Sequence, residues 1–180
     1  NKMHIPIMRH CHVLPDIRYD VEMQKASYQN VQLNLNSFIS KFNMQAWGYN
    51  DQNSIYIEHG VDTDFWKAGN ETRENACLSV VNDWPNRDWC CGFNLWQQTI
   101  QGLPARVFGK SPGFSEPAQS TEHLRQIYQT SKIFYNTSLH SPVPTVLLEA
   151  MACGCAIIAT DVGAVGTMVD QENGWLISKI

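Results

Sequence analysis

The fold of this chain is decided by residues 141–164, "SPVPTVLLEAMACGCAIIATDVGA". A proline-bounded turn leads into a short apolar segment that carries one acidic residue, Glu149. Gly154 ends that segment, and a run of alanine and isoleucine then closes on Thr160. A turn, a helix, a terminating glycine and a buried strand in this order are typical of one unit of a parallel sheet.

Similar units surround this stretch. Short apolar runs bounded by Gly, Pro or Asn alternate with longer polar or helical segments, as strands alternate with helices in α/β proteins. One such segment, residues 120–131, has an apolar helical face with Ser120 or Thr121 as its cap, and residues 163–170 predict a further short helix. We therefore predict an α/β fold with a Rossmann-like doubly wound parallel sheet. The strand-like runs are "ACLSVV" (76–81), "ARVFG" (105–109), "KIFYN" (132–136), "AIIAT" (156–160) and "GWLIS" (174–178).

The first part of the chain has a different character. It is polar and contains one helix-like segment, "SFISKFNMQAW" (37–47), with Ser37 as its expected cap. The stretch just before it, "VQLNLN" (31–36), alternates like the end of a strand. We interpret residues 1–55 as the tail of another α/β unit with a crossing segment, and residues 56–180 as a second domain.

Composition excludes several classes of protein. The 180 residues carry 13 Lys and Arg against 17 Asp and Glu, a net charge of −4, which gives no basic surface for nucleic acid. No apolar run approaches the length of a transmembrane segment, and no signal segment is visible. Six cysteines without a regular spacing indicate free thiols in a reducing cytoplasm. Because the chain begins with Asn1, we expect a piece of a longer protein or a trimmed chain.

The start of the helix near residue 145 is a candidate ligand site. Ligands of open parallel sheets bind at the carboxyl ends of the strands, where helix N-termini also point. The amides of Thr145 and Val146 lack helical partners and lie at the positive end of the helix dipole, an arrangement that suits phosphate. Glu149, one turn further on, is placed to accept hydrogen bonds from sugar hydroxyls. The alternatives are a helix start that binds only water and a glutamate on an ordinary exposed face.

Residues 141–178 closely resemble the donor-binding segment of retaining glycosyltransferases of family 4, which have the GT-B fold. The family has two glutamates separated by seven residues before "AMACG", followed by "P-V-V-A-T-D-V-G-G" and "E-N-G-x-L". Glu149–Gly154, Ala159–Gly163 and Glu172–Gly174 stand in the matching places. The stretch "IEHGVDTDFW" (57–66) is similar to the "N-G-V-D" crossing segment between the two domains of the family. On this resemblance, residues 1–55 end the acceptor-side domain, and residues 56–180 form the nucleotide-sugar donor-binding domain, truncated at its C-terminus.

The resemblance implies roles for individual residues. Glu149 matches the second glutamate, which holds the ribose, and Thr145 and Val146 match the positions whose amides meet the diphosphate. Ser141 stands where the family has its first glutamate, which contacts the transferred sugar. A hydroxyl offers no charged acceptor, so this departure leaves the identity of the donor and the activity open. Pro144 replaces a glycine of the family but keeps both amides free.

Two cations are candidates for neutralising the diphosphate. The family places a cationic pair in a turn after the first strand of the donor domain, and Arg87 is the best match, since its planar fork suits phosphate oxygens. Its structural alternative is an ion pair with Asp83 or Asp88. Lys110 follows the second strand and is also placed to reach the nucleotide, with a solvated loop position as its alternative.

Other motifs do not support a metal or cofactor. Asp62 and Asp64 form a D-x-D sequence, but they lie in the crossing segment instead of at the end of a nucleotide-binding strand. The spacing of His10, Cys11 and His12 matches no common zinc site. No G-x-G-x-x-G follows the first strand, which argues against a nicotinamide dehydrogenase. We predict no cofactor and no metal, and we expect the dense tryptophans (Trp84, Trp89 and Trp96) to fill a core or an interface.

The function implied by the resemblance is transfer of a hexose from a nucleoside-diphosphate sugar to a hydroxyl of a glycan or lipid, with retention and without a metal. It implies an enzyme of polysaccharide biosynthesis that is cytoplasmic or peripheral to the membrane. No catalytic residue is assigned, because retention in the family is ascribed to front-face attack without a protein nucleophile. The acceptor site would lie mostly in the missing N-terminal domain, without which we expect little activity. The alternatives are a non-catalytic nucleotide-sugar-binding module and a phosphorylase-like or epimerase-like enzyme. The sequence does not specify the sugar, base, acceptor or oligomeric state.

Overall fold

The computed structural model describes residues 6–31, 33–50, 52 and 54–178. The chain divides into two compact units, Asn1–His59 and Gly60–Ile180. The boundary follows His59 instead of residue 55, because Tyr56 pairs with Phe38 in the sheet of the first unit. The roles expected for the two parts of the chain stay predictions.

The first unit is a three-stranded parallel sheet with two helices. Its strands lie in the order β1-β2-β3, and both pairs are parallel. Its elements are β1 (Met8–Cys11), α1 (Val21–Gln29), β2 (Leu35–Phe38), α2 (Lys41–Ala46) and β3 (Ser54–Tyr56).

The structure corrects two local predictions in this unit. Ser37 does not cap the helix, because it is a buried residue of β2 that pairs with His10 and Ile55. Ser40 is the cap, and its hydroxyl accepts the Asn43 amide at 3.0 Å. The strand predicted over residues 31–36 lies over Leu35–Phe38, and residue 32 is outside the described residues.

The sheet of the first unit is covered on one face. Cys11 and Phe38 pack there against Met44 and Trp47 from α2 and its C-terminal end. The opposite face exposes apolar side chains, although parallel sheets are normally buried on both faces. The exposed residues on or next to that face include Met8 (60% exposed), Ile55 (43%) and Ile57 (59%).

The second unit has five parallel strands in the order β5-β4-β6-β7-β8. Short 3-10 turns span Pro85–Arg87 and Val165–Thr167. The predicted fold class, an α/β Rossmann-like parallel sheet, is therefore confirmed. The elements are β4 (Glu74–Val80), α3 (Asp88–Cys91), α4 (Phe93–Thr99), β5 (Ala105–Phe108), α5 (Thr121–Gln129), β6 (Ser131–Asn136), α6 (Thr145–Ala152), β7 (Ala156–Thr160) and β8 (Gly174–Ile177).

Both faces of this second sheet are buried. Phe134 of β6 faces a core that includes Tyr128 of α5 and Leu147 of α6. The next residue, Tyr135, points to the other face, since side chains alternate along a strand. It packs there in a second cluster. The core role expected of the tryptophans is confirmed for two of them, Trp84 and Trp96, which are buried in that cluster.

Polar side chains set the ends of the elements in this unit. Of the two predicted caps of α5, Ser120 is the one used, and its hydroxyl accepts the His123 amide at 3.1 Å. The helix predicted over residues 163–170 is shorter and of the 3-10 type. Beyond its end, Asp170 turns the chain, since its amide donates to the Asn173 side chain at 3.0 Å. None of the helices in the described part of the chain has the length and apolar character needed to span a bilayer.

Candidate functional site

The loops that follow β4, β5, β6 and β7 emerge at one edge of the second sheet. All four strands are parallel, so their carboxyl ends meet there. This edge is where open α/β sheets bind ligands. The loop over residues 137–144 joins β6 to α6 and carries Ser141.

The segment that follows β4 holds this loop from one side. The amides of Leu139 and His140 donate to the Cys90 carbonyl at 2.8 and 3.1 Å. The Thr137 hydroxyl donates to the Gly92 carbonyl at 2.9 Å. Gly92 has φ +64°, and an added Cβ would lie 1.9 Å from the Thr137 carbonyl oxygen. Only glycine permits this close approach.

The segment that follows β7 holds the loop from the other side. The Ala164 amide donates to the Pro142 carbonyl at 3.0 Å, and the Thr160 hydroxyl donates to the Ser138 carbonyl. Gly163 has φ +60°, and an added Cβ would lie 2.0 Å from the Ser141 carbonyl oxygen. The backbone on both sides therefore fixes the path by which the chain enters α6.

Helix α6 begins with uncapped amides. Pro144 occupies the N-cap position and supplies no side-chain hydrogen bond. The amides of Thr145 and Val146 belong to the first helical turn, which has no intrahelical acceptors. Thr145 is exposed and Val146 is half-buried. This helix start therefore has the donors and the dipole that suit an anion.

Glu149 lies on α6 against a buried tyrosine. The Tyr128 hydroxyl donates to its Oε2 at 3.0 Å, so one carboxylate oxygen has a structural partner. Burial raises the pKa of the half-buried Glu149 carboxyl, and the hydrogen bond from Tyr128 opposes that shift. Burial and the nearby carboxylate also raise the pKa of Tyr128, which keeps it a donor. Glu149 thus does not lie on an exposed helix face, and one of its two carboxylate oxygens already accepts a hydrogen bond from Tyr128.

Glu149→Gln is expected to gain stability relative to the parent protein as the pH rises from about 4 to 7. A carboxyl whose pKa is raised by folding stabilises the fold below its unfolded pKa, and that stability is lost as the pH rises through the folded pKa. Glutamine does not ionise, and its carbonyl still accepts from Tyr128. Melting temperatures of both proteins across this range, without nucleotide, measure the difference.

Glu122→Gln is the matched control, since Glu122 is an exposed carboxylate at the start of α5. Hydrogen bonds from its own backbone amide and from Ser120 lower its pKa, so this variant should lose stability relative to the parent as the pH rises. A Glu149→Gln difference that is constant with pH, or that follows the Glu122→Gln difference, contradicts the prediction.

Arg87 and Lys110 lie on neighbouring loops that meet at Asn82. The Arg87 guanidinium is 3.5 Å from the Asn82 carbonyl, and the Lys110 amide donates to the Asn82 side chain at 2.8 Å. Both cationic residues are exposed. The ion pair considered for Arg87 is not formed: Asp83 accepts from Asn86, and Asp88 accepts from Asn94.

The predicted residues thus fall into two groups. Ser141, Thr145, Val146 and Glu149 share the loop and helix after β6, and Arg87 and Lys110 share the loops after β4 and β5. Within the described residues, no hydrogen bond or ion pair joins one group to the other. Their roles in donor binding stay predictions.

Sequence reasoning missed the partners of these residues. Tyr128 lies in the segment 120–131, for which the sequence predicts only an apolar helical face. A buried tyrosine hydroxyl usually has a hydrogen-bond partner, and this is the available signal. Trp89 is half-buried instead of buried, and its ring centroid lies 5.8 Å from that of His140, next to Ser141. No signal in the sequence pointed to that contact.

The two sequence motifs that resemble metal sites, the D-x-D sequence and the histidines near the N-terminus, make contacts within the chain. The Asp62 carboxylate accepts the backbone amides of Asp64 and Phe65, at 3.0 and 3.3 Å, and so closes a turn. In the first unit the rings of His10 and His12 lie 4.2 Å apart, and those of His12 and His59 lie 5.6 Å apart. Across the described ranges, no group of three or more His, Cys, Asp or Glu residues is arranged to hold a metal ion.

Residues 98–179 match the family model described as "Glycosyl transferases group 1". That part of the chain is therefore similar to a glycosyl transferases group 1 domain. The matched region includes α5, β6, α6, β7 and β8, and thus the loop and helix that carry Ser141 and Glu149.

Several known proteins are also similar to this chain. The alpha-maltose-1-phosphate synthase of Mycolicibacterium smegmatis is 38% identical over 58 residues, which are 32% of this chain and 15% of that protein. The Anabaena protein Alr3699/HepE, solved in complex with UDP and glucose, superimposes with a TM-score of 0.78 at 15% identity, covering 96% of this chain and 58% of that one. Sucrose-phosphate synthase from Thermosynechococcus elongatus gives 0.75 at 15% identity, covering 98% and 56%. The chain thus spans less than two thirds of each of these proteins.

Proposed function

We propose that this chain contains the donor-binding half of a retaining glycosyltransferase of family 4. The whole enzyme would transfer a hexose from a nucleoside-diphosphate sugar to a hydroxyl of a glycan or lipid, in polysaccharide biosynthesis. The observation that carries the proposal is the start of α6. Uncapped amides and a partly buried carboxylate lie there within the matched region, at the carboxyl edge of a parallel sheet.

Each donor group has a role in this proposal. The amides of Thr145 and Val146 bind the diphosphate, Glu149 accepts from the ribose through the oxygen that Tyr128 does not use, and Ser141 meets the sugar. Arg87 and Lys110 balance the phosphate charge in place of a metal. The leaving diphosphate is then stabilised by preorganised donors, which is electrostatic catalysis.

The acceptor would be bound by a preceding domain. The uncovered apolar face of the first sheet, with Met8 and Ile55, supports a further layer of polypeptide on that side. We infer that the unit ending at His59 belongs to the acceptor-side domain, and that the chain by itself turns over little donor. The whole enzyme would act in the cytoplasm or at its membrane surface.

A second candidate is a non-catalytic nucleotide-sugar-binding module on the same fold. Ser141 favours it, because a hydroxyl replaces the carboxylate that contacts the transferred sugar in the family. Transfer to glycan acceptors by a protein that includes the preceding domain, compared with its Ser141→Glu variant, separates the two candidates. Activity in the parent protein excludes the binding module.

The test of the donor site is calorimetric titration of this chain with UDP, GDP and ADP in excess EDTA. We expect at least one of them to bind, because helix amides and the two cations replace a metal in balancing the phosphates. UDP is the first probe because the similar HepE was solved with it. Binding that appears only when Mn²⁺ is restored overturns the metal-independent proposal, and no binding under either condition overturns the donor site.

A further inference from the structure

The end of α3 carries two adjacent thiols that lie close together. The Sγ atoms of Cys90 and Cys91 are 3.5 Å apart. Cys90 is 5% exposed, and Cys91 is half-buried and provides the access. Both cysteines are free thiols.

This pair is poorly suited to a disulfide. A disulfide needs its sulfurs at about 2.05 Å, and its Cα atoms are usually at least about 4.4 Å apart. Neighbouring residues across a trans peptide have Cα atoms only about 3.8 Å apart. Burial, together with the Cys90 thiol, also raises the pKa of Cys91 to about 12, so that thiol is protonated at neutral pH.

The same geometry suits one atom held between the two sulfurs. An atom bonded to each at about 2.3 Å spans the 3.5 Å gap with an angle of about 100°. Thiolate pairs select soft centres. Because no third His, Cys, Asp or Glu residue in the described chain completes a metal site, the suitable centre needs only two protein sulfurs.

We propose that Cys90 and Cys91 form a chelating dithiol site for a soft thiophilic centre, of which an organic trivalent arsenical is the type. An aryl arsenic oxide forms two As–S bonds, one to each Sγ. The two thiol protons leave with the oxide oxygen as one molecule of water. Arsenic stays trivalent, so the step needs no oxidant or reductant.

The site is connected to the loop over residues 137–144. The carbonyl of Cys90 accepts from Leu139 and His140, and the carbonyl of Cys91 accepts from the Trp84 indole at 2.8 Å. Closing a ring through both sulfurs restrains these peptide groups and changes the surroundings of the buried Trp84 ring. Capture is therefore expected to change the tryptophan fluorescence, whether or not the chain binds a nucleotide.

The experiment adds phenylarsine oxide to the chain and follows the adduct by native mass spectrometry and fluorescence. We expect one adduct that withstands excess mercaptoethanol and is removed by dimercaptopropanol. Linking two ligands raises the effective concentration of the second, so Cys90→Ser and Cys91→Ser should each retain the adduct about 100-fold less well. Cys77→Ser removes a single, half-buried thiol of β4 and is the control that should retain it.

The outcomes separate the possibilities. Cys91→Ser keeps the test decisive if the more buried Cys90 variant fails to fold, which circular dichroism reveals. An adduct that Cys91→Ser retains as well as the parent protein overturns the proposal. So does a parent adduct that the monothiol removes as readily as the dithiol, or one that is lost in Cys77→Ser. Because nucleotide binding is not measured, this result is independent of the proposed function.

Discussion

Glu149→Gln is expected to weaken nucleoside-diphosphate binding about tenfold to a hundredfold and to leave the fold intact. A hydrogen bond to a charged group is worth about 1.5–3 kcal/mol, which corresponds to that range of dissociation constants. The amide keeps the acceptor that Tyr128 needs, so the loss is confined to the ligand. Calorimetry with the nucleotide that binds the parent protein most tightly measures it, with the melting temperature of each variant alongside.

Glu149→Ala separates ligand binding from structure less cleanly. It leaves the hydroxyl of Tyr128, a 0% exposed residue, without its acceptor, and an unsatisfied buried donor costs about 1–3 kcal/mol of stability. Tyr128→Phe is the matched control, because it removes the hydroxyl and keeps the carboxylate. If Glu149→Gln binds nucleotide as well as the parent protein does, Glu149 has only a structural role. The proposal of a ligand site on α6 would then be wrong.

Gly163→Ala is expected to destabilise the second unit by at least about 2 kcal/mol more than the same change at Gly102. Both glycines have positive φ, +60° and +78°, so both variants pay the cost of a left-handed alanine. Only at Gly163 does the new Cβ meet backbone, 2.0 Å from the Ser141 carbonyl oxygen, whereas nothing lies within 4 Å at Gly102. Urea unfolding of the two variants measures the difference.

The displaced carbonyl belongs to the loop that leads into α6, so Gly163→Ala should also weaken binding of a nucleotide-sugar in the fraction that remains folded. Gly113→Ala is a second control, since its φ is +77° with open space around it. Equal unfolding free energies for the Gly163 and Gly102 variants would show that the loop after β6 moves freely. The inference that the backbone fixes the path by which the chain enters α6 would then be wrong.

Much of the second unit was predictable because its signals are local. The runs of isoleucine, alanine and phenylalanine in β6 and β7 are buried on both faces, and this composition is typical of a parallel strand. The first unit gave weaker signals. Helix α1 has no buried residue, and Ser37, a polar residue, lies inside β2. Its strands depended on pairing with distant residues.

The sequence by itself determined the alternation of strands and helices, the glycine that ends α6 and the placing of Ser141, Thr145, Val146 and Glu149 on one loop and helix. Spacing along the chain fixes these features, because a strand or a helix forms among neighbouring residues. Only the tertiary structure decided which residues form hydrogen bonds with these side chains and loops. Tyr128 meets Glu149 across 21 positions, and Asn82 meets Lys110 across 28. Such pairs depend on how elements pack, and packing brings together residues whose separation in sequence carries no periodic signal.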